Sequence, residues 1–266
     1  MVLRAPGLDK IYGVKTMVKK LFAGPWVGEF GWELFAWQGY LRKLKNDYEI
    51  IKIGCRDGHQ FLYRDFCHIF LVSGNQYTQT DMWKCYDAPE FDYGDIDPEC
   101  QIIPPGNYLR SQQVFKRYGT PDDSKSYDLV FHARQTSKCG TDFRNWSEDS
   151  WRSLRSQFKD LKCCSIGTKN AAALIEDTDD LRGLDLEDLS NILASSKVLI
   201  GPSSGPMHFG SLCGIPHVVW SPKTGMLNNK DRYETIWNPF NTKVAFIEGS
   251  WNPSVNLVIK EVEKLL

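Results

Sequence analysis

The chain has 266 residues, 42% hydrophobic and 13% aromatic, enough to bury a core in two domains of ordinary size or one large one and too apolar for long disorder. Its 32 Lys and Arg nearly cancel its 33 Asp and Glu, and a net charge of -1 supplies no global attraction to nucleic acid. No run approaches the ~18 apolar residues of a membrane span, the start MVLRAPGLDKIYG lacks a signal-peptide core, and the eight cysteines show neither a Cys-x-x-Cys pair nor a zinc-like His spacing, so a soluble cytoplasmic protein with reduced thiols and no metal site is expected.

Residues 1 to about 17 read as an irregular lead-in. The segment 20–26 (KLFAGPW) is a candidate first strand that feeds a glycine-punctuated loop, Val27 to Gly31. From Trp32, the apolar residues Leu34, Trp37, Leu41 and Leu44 recur at helical spacing, with Arg42, Lys43 and Lys45 near the end, where cations suit the helix dipole. Strand, glycine loop and helix make the first βα unit of a Rossmann-like half, and 49–54 (EIIKIG) is its second strand. Arg56, Asp57 and His59 follow that strand at the edge where open α/β sheets bind ligands, so Arg56 and His59 are candidates to read an acceptor. A short helix around 61–66 and a strand near 69–72 come next, then a stretch from 79 to 105 rich in Asp, Pro, Tyr and Trp, as an acceptor-binding insertion would be. Within it Asp95-Ile-Asp97 has the letters of a divalent-cation motif but sits beside a proline in irregular sequence. Residues 107–118 have helical character, and 119–126 (GTPDDSKS) is the clearest linker.

The second half restarts with the apolar strand 127–131 (YDLVF). Arg134 leaves its end, and Arg144-Asn145-Trp146 precedes a helix capped by Ser147 with Trp151, Leu154 and Phe158 as its buried stripe. Another strand is expected at 161–167. Asp185 to Asp188 opens a helix with Leu186, Leu189, Ile192 and Leu193 inward; Glu187 either helps to cap it or accepts hydrogen bonds from a ribose. Then comes KVLIGPSSGPMHFGSLCGIPHVVW, from Lys197 to Trp220: a buried strand, a turn of Ser203, Ser204 and Gly205, Pro206 at a first helical position, a helix through Met207 and His208 to Cys213, and a second strand from His217. Backbone N-H groups and two hydroxyls converge there at the positive end of a helix dipole, which favours an anion, above all a phosphate. The polar segment 221–248 reads as a site wall, with Arg232, Tyr233 and Trp237 as candidates to stack on a base or sugar. A last strand (243–247) and a helix from Asn252-Pro253, with Val255, Ile259 and Val262 on one side, close the chain.

Three of these stretches resemble the GT-B glycosyltransferases, particularly the heptosyltransferase-like (family 9) group. The turn Ser203 to His208, with Gly214 and Pro216 after it, is similar to that group's "(D/S)SGPMH" diphosphate-binding turn. FRNW at 143–146 is similar to its "KRW", whose cation contacts the donor phosphates, and the loop 24–44 to its "GxGDxxxxxPALRxL", whose acidic residue is the catalytic base. The resemblance implies an α/β fold of two Rossmann-like halves facing a cleft: residues 1–120 on the acceptor side, 121–266 on the donor side, with the terminal helix packing back across the junction. It implies inverting, metal-independent transfer from a nucleotide-diphosphate sugar, with no resident cofactor. Arg134 and Arg144 with residues 203–208 would hold the diphosphate. The base would be Glu33, the nearest in register, or its competitor Glu29. The acceptor stays open among a glycan, a small molecule, a protein and modified DNA bases, and a non-catalytic nucleotide- or sugar-binding module is the alternative.

Overall fold

A computed structural model of the chain describes residues 18–26, 28–72, 96–106, 108–136, 140, 142–222 and 229–266. Two all-parallel sheets form. The first has β1 (Lys20–Ala23), β2 (Ile50–Cys55), β3 (Ile69–Val72) and β4 (Cys100–Ile103) in the order β3-β2-β1-β4. The second has β5 (Leu129–Phe131), β6 (Cys163–Ser165), β7 (Asp179–Asp180), β8 (Val198–Pro202), β9 (His217–Ser221) and β10 (Val244–Glu248) in the order β10-β9-β8-β5-β6-β7. Counted from β5 this is the 3-2-1-4-5-6 order of a dinucleotide-binding sheet, and the first sheet has its first four strands. β1 and β5 are therefore the switch points at which successive connections leave to opposite faces, and a crevice opens beyond their carboxyl ends.

The apolar runs seen in sequence are buried on both faces because each strand serves two layers. Leu129, Phe131, Val198, Ile200, Val218 and Trp220 pack outward with α3 (Glu148–Gln157) and α7 (Val255–Glu263). The alternate residues Val130, Leu199 and Val219 face α4 (Leu186–Ser195) and α5 (Gly205–Cys213), in a cluster that continues into the first half through Phe35, Trp37, Leu41 and Tyr118. The two halves thus share one apolar seam. Hydrogen bonds lace its rim, among them Tyr118 N to the Leu212 carbonyl at 3.1 Å and Thr120 N to Asn191 Oδ1 at 2.8 Å.

Several elements depart from expectation. The first helix starts earlier, as α1 (Phe30–Trp32), widens to a π-turn over Glu33–Trp37 and continues as α2 (Gln38–Lys43). The wide turn buries all five of its residues, Glu33 included, which 3.6-residue spacing does not anticipate. Helical character over 107–118 is realised only as a single turn at Arg110–Gln112. The site-wall segment holds a helix, α6 (Lys230–Thr235), capped by Asn229. The terminal helix packs in the outer layer of the second sheet, where Val258 and Val262 are buried beside α3 and β9. Most of the expected acceptor insertion, with Asp95, lies outside the described residues; Asp97 is paired with Lys20 at 2.9 Å.

Arg42 is not a surface cation at a helix end. It is 3% exposed, and its guanidinium donates to both Asp65 oxygens (2.9 and 3.1 Å), the Leu62 carbonyl (2.7 Å), the Tyr118 hydroxyl (2.9 Å) and Gln38 Oε1. Burial alone raises the Asp65 carboxyl, but Arg42, and after it Lys116, hold it below its ordinary value. Breaking such a buried pair from one side leaves an uncompensated charge, so Arg42→Leu is expected to cost about 3–5 kcal/mol of stability, read as a lower urea midpoint. Because the folded pKa of Asp65 is depressed, its contribution is present above the unfolded value near 4 and lost as pH falls through the folded one. Asp65→Asn should remove that part of the acid destabilisation.

Candidate functional site at the junction of the halves

The carboxyl ends of β5 and β8 carry the groups that face the second sheet's switch point. Beyond β8, Ser203 is 1% exposed and Ser204 is the residue before α5, with an extended backbone (φ -165°, ψ 171°). The Ser204 hydroxyl donates back to the Pro202 carbonyl at 2.9 Å, so no side chain caps α5, and its first amides are left to an outside partner. Ser203 Oγ is buried with no hydrogen-bond partner. Arg144, on a tight turn at Asp142–Arg144, donates through Nη2 to the Ser203 carbonyl at 2.6 Å and lies 4.3 Å from the Trp251 ring centre, while its Nε is buried without a partner. Arg134, beyond β5, donates to Asn145 Oδ1 at 2.5 Å.

These cations are poorly solvated. Burial, then the neighbouring Arg144, lowers Arg134 to about 10, against the opposing pull of Glu29 and Asp142; burial also lowers Arg144, again with Glu29 opposing. Both remain charged at neutral pH, and an anion placed between them gains from the shortage of water. His208, on the first turn of α5, is lowered to about 3 by burial, with His217 and Arg144 adding to it, so its ring is neutral; its Nδ1 has no partner.

Glu29 comes to these arginines from the other half. It precedes α1, and α1 runs against the start of α5: a Cβ on Gly31 would lie 3.2 Å from His208 Cδ2, and one on Gly205 3.0 Å from Phe30 Cδ1. Phe30 packs edge-on against Phe209, 5.7 Å between centres. The close approach places the loop of one half over the phosphate-type turn of the other.

Glu33 faces elsewhere. It is fully buried, accepting from the Tyr63 hydroxyl at 2.7 Å and paired with His59 Nδ1 at 2.6 Å. It is the nearer carboxylate in register and the first candidate for the base, and the structure encloses it between the Tyr63 and His59 side chains. Arg56 reaches back to the Gly28 carbonyl, so both expected acceptor-side residues border the β1 loop.

Of the expected base and sugar contacts, Tyr233 and Trp237 pack against His208 on the first turn of α5, 5.3 and 4.6 Å between ring centres. Tyr233 is fully buried, its hydroxyl joined to His217 Nε2 at 2.9 Å and to the Met207 carbonyl at 3.2 Å, so it secures α5 rather than offering a stacking face. Glu187 pairs with Arg64 across the halves at 2.7 Å. Arg232 lies over Trp237 at 5.7 Å. A cavity of about 620 Å³ opens beside Arg134 and Asn145, walled by Trp146, Trp151, Leu174 and Ile175. The loop 173–176 that forms its far side was missed, because irregular sequence has no periodicity. Among the described residues no cluster of His, Cys, Asp or Glu could hold a metal ion, and no helix is long and apolar enough to cross a membrane.

No protein-family model matches the chain, and no curated protein matches it in sequence. Solved structures do match in fold. A glycosyl transferase of family 9 from Veillonella parvula superposes with a TM-score of 0.60 at 10% identity, covering 94% of this chain and 97% of that one. The E. coli heptosyltransferase WaaC with ADP gives 0.60 at 11%, covering 93% and 100%, and E. coli ADP-heptose lps heptosyltransferase II gives 0.54 at 12%, covering 93% and 98%. At such identities the likeness is one of architecture: the chain has the two-sheet GT-B fold of these glycosyltransferases.

The Gly31 contact is testable. Gly31→Leu is expected to force α1 away from α5, costing about 1–3 kcal/mol by thermal melting, whereas Gly58→Ala, where a Cβ meets nothing, should show only the smaller cost of its left-handed backbone.

Proposed function

We propose that the protein is a glycosyltransferase that moves a sugar from a nucleotide-diphosphate donor to an acceptor hydroxyl, with inversion at the anomeric carbon and without a metal ion. One observation carries the reading: Ser203 Oγ and Arg144 Nε are buried without partners beside the uncapped amino end of α5. Buried polar groups are ordinarily satisfied, and a diphosphate supplies acceptor oxygens to the hydroxyl, the guanidinium and the helix amides at once. Arg134 completes the cradle, and the cavity beside it accommodates the rest of the donor.

In the proposed reaction Glu29 takes the proton of the acceptor hydroxyl as its oxygen attacks the anomeric carbon. The bond from that carbon to the diphosphate oxygen breaks, and its electron pair leaves with the diphosphate, where Arg134, Arg144 and the α5 amides meet the growing charge. Fixed guanidinium groups do here what a divalent cation does in other sites. Two further points support the reading: Glu29 acts on both arginines electrostatically, so it belongs to the same site, and a protein of the same fold has been solved with ADP.

Nucleoside diphosphates should raise the melting temperature of the wild-type protein. Arg144→Ala is expected to weaken their binding about 10- to 100-fold, the range of a lost charged hydrogen bond; unchanged affinity would remove the cradle from the argument. Glu29→Gln should keep donor binding while turnover falls about 10²- to 10⁴-fold, measured as nucleoside diphosphate released from nucleotide sugars. Full turnover in that variant would assign the base elsewhere, and donor binding with no turnover in the wild type would favour a binding module.

A further inference from the structure

The carboxyl group of Glu33 lies outside the proposed reaction, yet it is fully buried on a turn that encloses it. Its Oε1 accepts from Tyr63, whose hydroxyl is kept protonated by burial and by Glu33 itself, and its Oε2 meets His59 Nδ1 at 2.6 Å. With Glu33 as the accepting partner, Nδ1 carries the hydrogen, and in a ring with one hydrogen Nε2 carries the lone pair. That nitrogen has no partner among the described residues, and the His59 side chain is 18% exposed. Gly58, with φ 79°, turns the chain at the end of β2 and sets His59 at the carboxyl edge of the first sheet. Phe30 touches the ring edge-on at 5.4 Å and touches Phe209 on α5, so His59 stands one aromatic ring from the second half. Arg56, three residues before it, donates to the Gly28 carbonyl, next to Glu29.

We propose that His59 Nε2 accepts a hydrogen bond from a hydroxyl of the acceptor, and that Glu33 is the positioning residue that fixes the tautomer and the ring orientation. This rests on the transferase reading and extends it: the acceptor meets a lone pair rather than a charge, so it presents a neutral hydroxyl at this point, not a carboxylate or a phosphate. Tyr63 anchors Glu33 from the far side, and the π-turn that begins at Glu33 buries the carboxylate between the two.

The experiment uses the full chain with ¹⁵N-labelled histidine, nucleoside diphosphate as the donor-side probe and a methyl glycoside as the hydroxyl probe. In the wild type the His59 signal should show hydrogen on Nδ1 and a bare Nε2, and the glycoside should move the Nε2 resonance. In Glu33→Gln the side-chain amide can donate to Nδ1, which transfers the hydrogen to Nε2; the resonance pattern should invert and the glycoside response should disappear. Tyr63→Phe, which leaves Glu33 in place, should keep the wild-type tautomer. Hydrogen found on Nε2 of the wild type overturns the proposal, as does a glycoside response that survives in Glu33→Gln. The wild-type spectrum decides the tautomer even if Glu33→Gln does not fold. A wild type that ignores nucleoside diphosphates strikes the transferase reading itself, whereas one that binds them and leaves Nε2 unmoved by the glycoside strikes this inference alone.

Discussion

Two helix starts from different halves meet ring against glycine: Phe30 over Gly205 and His208 over Gly31. A side chain at either glycine would separate the helices, and the chain segments that precede them would separate with them. Those segments are the ones that carry chemistry. Glu29 is the residue before α1, and Ser203-Ser204 is the turn before α5, so the contact that closes the apolar seam also delivers the carboxylate of one half to the cations of the other. Packing and electrostatics are one constraint here.

Arginine is used in two opposite ways. Arg42 is buried with its donors engaged by Asp65, Leu62, Tyr118 and Gln38, and the cost of removing its charge from water is met inside the fold. Arg144 is buried with Nη2 on the Ser203 carbonyl, its plane on Trp251, and Nε left without a partner. A guanidinium held rigidly and left incompletely satisfied is suited to an anion that arrives and departs. The carboxylates divide likewise. Glu33 is enclosed by Tyr63 and His59, while Glu29 stays partly exposed within the field of two arginines.

The legible parts of this molecule were those that local chemistry dictates. The continuous apolar runs at β5, β8 and β9 marked strands, that at β8 one covered on both faces; Ser147 caps the helix it was expected to cap, and Asp185, where a second helix was expected to open, caps that one, each accepting from an amide three residues on. The turn from Gly201 to Pro206 showed where a strand would pass into a helix and why an anion would be favoured there. Other elements left no such mark. β4 joins the first sheet as an edge strand with two of its four residues exposed, α6 has too few turns to show a stripe, and the outer stripe of α7 fits whichever sheet face it meets.

Sequence by itself determined the alternation of strands and helices and the turn at Ser203-Ser204, because hydrophobic period, caps and small-residue turns act within a few residues of chain, while its resemblance to the family 9 group nominated Glu29, Glu33, Arg134 and Arg144. Tertiary structure alone decided which of these groups face one another. The spacing of Glu29 and Glu33 gives two carboxylates about one helical turn apart, and only the π-turn and the β2 edge send one to His59 and leave the other near the arginines. Tyr233, a plausible stacking ring in sequence, became a buried strut for α5 for the same reason: burial is set by what lies across the core, and that neighbour comes from a distant part of the chain.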